Sequence, residues 1–477
     1  MLFNSIPFLI FLIIVIAVYY PLPKRYRYIW LLAASYVFYL RQDSSCVILL
    51  IITTLVTYFG GLCISASVNI RMRKIFAASA LIINFGILAY FKYIDVVLSL
   101  FTKDGKLNLL LPIGISFYTF QSVTYIVDLC RGKIECEKNP AKLALFVSFF
   151  PTLLSGPIQR ASMLLPQFTC SNDFSLESFK RGMQRMLWGF FLKLVISARL
   201  NIWLDTVHSS YTSFSGALLA LTSIMYVFLV YSDFEGYSQI AIGVGEMLGF
   251  EMPANFKQPL LSEGFGEFWR RWHISLSSWL RDYVYIPLGG SRRGTVRKYI
   301  NVVIVFLVSG IWHGGTILFI IWGFLNGIFQ VIGALLMPLR QAIISAVSLN
   351  RHPALLRALR CIGTTLLYAF TMIFFSCDSL DTALGIIGRI FTDFEIGTLV
   401  NGAVSTLGLG YKNLAVVIFA LMILAITDIL CDRFDCDITG LLKRTPTVVR
   451  WLSYYVLLTM ILLSATLSSQ EFIYSQL

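Results

Sequence analysis

The sequence has 477 residues, of which 57% are apolar and only 13% charged, and its mean hydropathy is +0.76. A soluble domain carries about a quarter charged residues, so this chain lacks the charge to cover a water-facing surface, and a soluble globular class is excluded. The net charge of +13 does not indicate nucleic-acid binding, because the basic residues sit in short stretches between apolar runs: Arg71 to Lys74, Arg292 to Lys298, Arg351 to Arg360, and Lys443-Arg444. That is how cytoplasmic loops of a membrane protein are composed.

Apolar runs recur at 6–20, 46–64, 75–91, 186–198, 217–231, 317–335, 414–430 and 451–467. A helix needs ~20 residues to cross ~30 Å of hydrocarbon, so shorter runs use their flanks, tilt or stop part-way, and about ten to twelve membrane helices are expected. The first run has no basic segment before it and no small-residue cleavage site, and Lys24, Arg25 and Arg27 follow it. It reads as a retained first helix with its N-terminus outside and the basic loop in the cytoplasm. No soluble domain, low-complexity tract or internal repeat is visible, and the lack of a repeat weighs against inverted-repeat transporters. The nine cysteines are scattered, and no second pair or histidine completes a zinc set around Cys431 and Cys436. They read as small hydrophobic residues.

Three zones are expected within a single membrane domain spanning 1–477. Residues 1–104 are ordinary hydrophobic helices, 105–335 hold the core, and 336–477 return to spans with short polar loops. In the core, Leu111-Pro-Ile-Gly-Ile-Ser-Phe-Tyr118 and Phe149-Phe-Pro-Thr-Leu-Leu-Ser-Gly-Pro-Ile-Gln-Arg160 break up the apolar pattern with Pro and Gly. Broken helices at membrane depth are tolerated where they line a cavity or are buried in protein.

The segment Glu267 to Gly290, EFWRRWHISLSSWLRDYVYIPLGG, is too polar to span and too regular for a loop. At 100° per residue Trp269, Trp272, Leu276, Trp279 and Leu280 share one face, Arg271, Ser275, Ser278 and Asp282 the opposite one, and His273 lies at the boundary beside Arg270, Ser277 and Arg281. The pattern predicts one amphipathic interfacial helix with its Trp residues at headgroup depth, ended by Pro287 and Gly289-Gly290. A plain interfacial anchor with an incidental histidine satisfies the same pattern.

Ser309-Gly-Ile-Trp-His313-Gly-Gly sits between two apolar runs. An ionisable side chain within a span usually faces the protein interior or a water-filled path. Gly310, Gly314 and Gly315 let a ligand or another backbone approach His313, although a buried histidine bonded to a carbonyl fits equally. The chain has only four histidines; His273 and His313 lie 40 residues apart in the most polar segment, whereas His208 and His352 sit in apparent loops. Histidine is suited to general-base work near neutral pH, which acyl transfer to a hydroxyl requires, together with donors for the oxyanion. Metal-dependent chemistry fits less well, because neither histidine has a His-x-x-x-His partner or a carboxylate cluster. Upstream, Asp233 and Glu235 close an apolar span, where either would orient an imidazole or cap a solvated helix end.

These residues resemble a known family. Tyr231-Ser-Asp-Phe-Glu-Gly-Tyr-Ser-Gln-Ile-Ala-Ile-Gly243, Pro253-Ala-Asn-Phe256, the Glu267 to Tyr283 run and Gly310-Ile-Trp-His-Gly314 are similar to the membrane-bound O-acyltransferase (MBOAT) superfamily, and within it to the branch that O-acetylates alginate and other bacterial polysaccharides. Ile113 to Gln121 and Ser155 to Arg160 match as well. The resemblance implies an all-α polytopic membrane protein, a ring of about ten to twelve transmembrane helices with re-entrant and interfacial helices around a central tunnel. It implies an O-acetyltransferase in the bacterial inner membrane, with acetyl-CoA as cytoplasmic donor, no metal, and an exported polysaccharide reached through an extracytoplasmic partner of the SGNH type. His313 becomes the catalytic base and His273 lines the cytoplasmic end of the same path. Arg270, Arg271 and Arg281, with Ser277 and Trp312, are expected to bind the donor. The Val284 to Gly290 stretch favours the acetyl branch over D-alanyl-transferring relatives; Ser376-Cys377 departs from an Arg-Ala-like pair common in relatives, with no catalytic consequence expected. Transfer to lipid or protein, D-alanyl transfer, and a transporter in which both histidines only line a path are the competing expectations.

Overall fold

The computed structural model describes residues 3–41, 46–101, 107, 111–154, 156–169, 173–400 and 407–464. Ser155 and the end of the 451–467 run lie outside the described residues. Helices dominate, and no strand occurs among the described residues. Several start where capping chemistry predicts. The Ser5 hydroxyl accepts from the Phe8 amide, Asn139 from Ala141 and Lys142 with Pro140 in the first turn, and Asp437 from Gly440.

Nine described helices are long and apolar enough to cross a membrane: Val47–Ala66, Ile70–Leu98, Leu176–Ser209, Gly216–Met247, Thr295–His313, Ile317–Leu335, Pro353–Ser376, Gly410–Phe434 and Thr447–Ser464. The shorter Ile6–Tyr19 is also apolar. The protein is thus an all-α, multi-pass membrane protein, with nine full-length spans among the described residues where ten to twelve are expected from sequence. Burial separates the spans. In the most apolar window of Gly216–Met247, 67% is buried inside the protein, against 6% for Thr447–Ser464. The second value leaves an apolar surface of the kind that lipid covers.

The chain forms two compact units. In the first (described residues 3–189 and 237–254), the rings of Phe3, Phe8, Phe38 and Phe150 nest together. The interrupted segment becomes the short helices Pro140–Ser148, Phe150–Leu153 and Ala161–Leu164. The helix Ile115–Cys130 starts at Gly114, whose φ of +79° and position against the Leu153 carbonyl leave no room for a side chain.

The second unit (described residues 190–236 and 255–464) holds both candidate histidines. Its core is aromatic: Phe268 packs 4.3 Å from Tyr368 and 5.3 Å from Trp272, ring centre to ring centre, and Trp269 lies 5.8 Å from Trp322. Helices Thr295–His313 and Ile317–Leu335 meet almost backbone to backbone. A methyl group on Gly310 would lie 2.3 Å from the Phe319 carbonyl oxygen, and one on Gly323 2.4 Å from that of Phe306. Small residues permit that approach in membrane helix pairs.

Candidate active site

The expected single amphipathic helix is two helices. Phe265–Arg271 stops, Trp272 is extended, His273 adopts a left-handed conformation (φ 43°, ψ 54°), and Ile274–Leu280 follows. A left-handed histidine is costly by about 1–2 kcal/mol and persists only where its surroundings hold it. They do so through one short segment. The Asn255 carbonyl accepts from the Ile274 amide at 2.8 Å, and the Arg271 carbonyl accepts from the Lys257 amide at 2.9 Å. Asn255 Oδ1 accepts from the Ser275 hydroxyl at 2.7 Å and lies 3.4 Å from His273 Nδ1. The residues at the break thus exchange helical bonds for bonds to 255–257, which hydropathy periodicity cannot reveal. Asn255 is the positioning residue missed as such from sequence, although it lies in the Pro253-Ala-Asn-Phe256 motif.

The break redirects the tryptophans. Trp269, Trp272 and Trp279 are buried in protein rather than facing lipid, because Phe268, Phe306, Trp322 and Tyr368 surround the first two. Ser275, assigned to the polar face, is also buried. His273 is not at a boundary but 1% exposed, with its ring 4.6 Å from that of Phe234 and 6.0 Å from that of Trp312. Burial pushes its pKa down from 6.5 to about 3, so the ring is neutral at physiological pH. With Nδ1 donating to Asn255, Nε2 is the acceptor.

His313 is the last residue of Thr295–His313 and is 3% exposed. It stands in an aromatic cage, with the rings of Trp312, Trp322 and Phe375 at 4.8, 5.0 and 5.2 Å, all edge-on. Trp312 touches both histidines, so the two imidazoles converge on one indole. Of the glycines around His313, Gly310 admits the neighbouring backbone. A side chain on Gly314 would strike the Phe319 ring.

The carboxylates behave differently from expectation. Asp233 lies inside Gly216–Met247, not at the end of a span, and is 1% exposed. It accepts from the Ser197 hydroxyl at 2.8 Å and pairs with the ammonium of Lys193, which a π-helical turn, Phe191–Ser197, carries. A lysine and a serine therefore hold this carboxylate. A lone lysine in the 186–198 apolar run was the available signal. Glu235 is buried on the same helix. Of the other histidines, His208 lies on the last turn of Ala198–Ser209, not in a loop, and His352 is exposed before Pro353–Ser376.

A cavity of about 570 Å³ opens beside this region. Arg270, Ser277 and Arg281, all expected to contact a donor, line it, and Lys298 adds a third exposed cation. Its walls are mostly apolar (Ile274, Leu276, Val302, Val305 and Phe306 among them), and Trp269, Ser309 and Gln330 also line it. Ser309 is one helical turn from His313, and neither His313 nor Trp312 belongs to the lining. Arg271 is turned elsewhere. It donates to Asp432 at 2.6 Å and pairs with Glu267 at 2.8 Å, in a network that continues from Asp432 to Arg357 and from Glu263 to Arg360.

Residues 138–382 match the model of the membrane-bound O-acyltransferase family. The chain belongs to that family. It is 37% identical to a probable alginate O-acetylase of Pseudomonas syringae over 433 residues, 87% of this chain and 81% of the relative. It is 35% identical to a peptidoglycan O-acetyltransferase of Helicobacter pylori over 63% of each chain. A teichoic acid D-alanyltransferase of Bacillus subtilis is 29% identical over 47% of this chain and 59% of its own. The expected enzyme class, an acyltransferase of the O-acetylating kind, is borne out. Both histidines and the whole cavity lining lie within the family-matched residues.

Proposed function

We propose that this membrane O-acyltransferase moves an acetyl group from a cytoplasmic thioester, acetyl-CoA, toward hydroxyls of an exported polysaccharide, in a bacterial inner membrane and with an extracytoplasmic partner that presents the acceptor. The observation that carries the reading is the convergence of His313 and His273 on Trp312, in a chain aligned over 87% of its length with an alginate O-acetylase. The D-alanyltransferase is less similar and aligns over about half the chain, which favours acetyl.

His313 takes the proton of the acceptor hydroxyl while that oxygen bonds to the thioester carbonyl carbon. Collapse of the tetrahedral intermediate breaks the carbon–sulfur bond, and the thiolate leaves with the proton returned by the imidazole. Neutral His273, fixed by Asn255, offers Nε2 as a neutral contact to the arriving donor rather than a charge. Arg270, Arg281 and Lys298 at the cavity attract the donor's phosphates, and Ser277 offers a hydroxyl on the same wall. Arg271 contributes through the geometry of its helix, since its guanidinium is occupied by carboxylates.

The test is purified protein with acetyl-labelled CoA, scored as donor hydrolysis and as label transfer to a polysaccharide acceptor. Label release by wild type and not by His313→Ala supports the reading. Equal release by both, or none by wild type, overturns it.

A further inference from the structure

The helix Gly410–Phe434 ends in a turn built around two thiols. Asp435 follows it in a left-handed conformation (φ 45°, ψ 54°), its amide donating back to the Asp432 carbonyl at 3.4 Å. The Cys436 amide then donates to the Cys431 carbonyl at 3.0 Å. This paired closure is a Schellman motif, in which the side chains at the two ends of the longer loop come together, ordinarily as an apolar contact. Here those side chains are Cys431 and Cys436. Both are free thiols, close enough to act on each other. With standard backbone lengths, the 3.0 Å bond holds their α-carbons within about 7 Å, inside the reach of a disulfide.

The residues between the two cysteines hold both sides of the His273 kink. Asp432 accepts from Arg271 at 2.6 Å and from Arg357 at 2.5 Å, and Asp435 accepts from Lys257 at 2.8 Å. Arg271 precedes His273 by two residues, Lys257 follows Asn255 by two, and the Lys257 amide donates to the Arg271 carbonyl. One short turn therefore anchors both chain segments of the clamp that keeps His273 left-handed. An apolar pair at 431 and 436 would close the same turn but could not change it. A disulfide draws the sulfurs from a non-bonded separation to about 2.05 Å, which strains the turn that carries Asp432 and Asp435. The cations around it, Lys257, Arg271, Arg357 and Arg433, are those of a cytoplasmic face, where thiols rest reduced.

We propose that Cys431 and Cys436 are a dithiol modification site that takes low-molecular-weight disulfides, and that closing it loosens the carboxylates' hold on Arg271 and Lys257. Cys436 is the more exposed of the two. Its sulfur attacks one sulfur of the incoming disulfide, whose other half leaves as a thiol with the Cys436 proton. The Cys431 sulfur then attacks the sulfur of Cys436, and the second half leaves as a thiol with the Cys431 proton. The cysteines lose two electrons and two protons, and one external disulfide becomes two thiols. Excess thiol reverses both steps. The reduced pair leaves the kink fastened; the oxidised pair lowers turnover without touching either histidine.

The experiment incubates the detergent-solubilised full chain with oxidised glutathione, blocks the remaining thiols with a maleimide and maps the peptides by mass. A Cys431–Cys436 disulfide that dithiothreitol reverses is expected. Hydrogen exchange over 255–257 and 271–275 should quicken on oxidation, and acetyl release should fall by about fivefold, the scale of one lost ion pair. Cys436→Ser should keep the basal turnover and show none of these responses; Cys431→Ala serves if that variant does not fold. Asp435→Asn keeps the left-handed turn, removes the charge on Lys257's partner, and should lower turnover without oxidation. Two thiols still open to maleimide after oxidation, a mixed disulfide alone, or a disulfide that leaves exchange unchanged overturns the proposal. The mass and exchange readouts need no acyl donor. If both respond while the reduced protein releases no acetyl, the proposed reaction fails and the dithiol site stands.

Discussion

The two histidines are held by opposite means. His273 sits in a left-handed kink, fastened by hydrogen bonds that it and its neighbours make to Asn255. His313 sits at a helix end, fastened by ring contacts and by the glycine-mediated approach of two helices. Polar fastening fixes an atom's direction and the tautomer; packing fixes the position of the ring. That division is consistent with the proposed roles, a neutral positioning group at His273 and a base at His313.

Four experiments break or sharpen the contrast. The largest effect is expected at His313. His313→Ala should lower turnover by about 10²–10⁴-fold, the range for loss of a general base, with little change in unfolding temperature. Next is the packing that supports it. Gly310→Val sets side-chain carbon against the Phe319 carbonyl and should separate the two helices, costing several kcal/mol as overpacking at backbone does; yield and thermal unfolding in detergent report it. On the polar side, Asn255→Leu leaves the Ser275 hydroxyl and His273 Nδ1 without their acceptor. It should cost about 1–3 kcal/mol for each buried group stranded and lower turnover while His313 is intact. The smallest effect distinguishes strain from chemistry. His273→Gly should be more stable than His273→Ala by about 1 kcal/mol, since glycine accepts a positive φ, and both should have the same reduced activity.

The same contrast appears with pH. The His273 pKa is lower in the folded protein, about 3, than the 6.5 of an unfolded chain. Its neutral form therefore contributes stability that is present above about pH 6.5 and is lost as pH falls toward 3, because the unfolded state then binds the extra proton. In His273→Gln the decline of unfolding temperature between pH 6.5 and 4 should be shallower than in wild type. An unchanged decline assigns the acid sensitivity to other groups.

Much of this was legible in the sequence. The multi-pass class followed from the scarcity of charge, and the family resemblance rested on the runs around Tyr231, Glu267 and Gly310, which the family match encloses or overlaps. The cavity wall was partly visible too, since Arg270, Ser277 and Arg281 are placed together on it. The kink at His273 was not. Helical periodicity continues smoothly through Trp272 and His273, and what breaks the helix is competition from backbone groups of 255–257, remote enough in sequence to escape any local pattern. The same ambiguity misplaced the tryptophans: an apolar face is the same pattern whether lipid or protein covers it. The lysine that pairs with Asp233 was not anticipated, because it lies 40 residues earlier in an apolar run.

Turnover of labelled acetyl-CoA by wild type, His313→Ala and His273→Ala in one detergent preparation tests the central claim most directly. The expected result is near-complete loss at His313 and partial loss at His273, with all three proteins equally folded. Acetyl release that persists at wild-type rate without the His313 imidazole would contradict it.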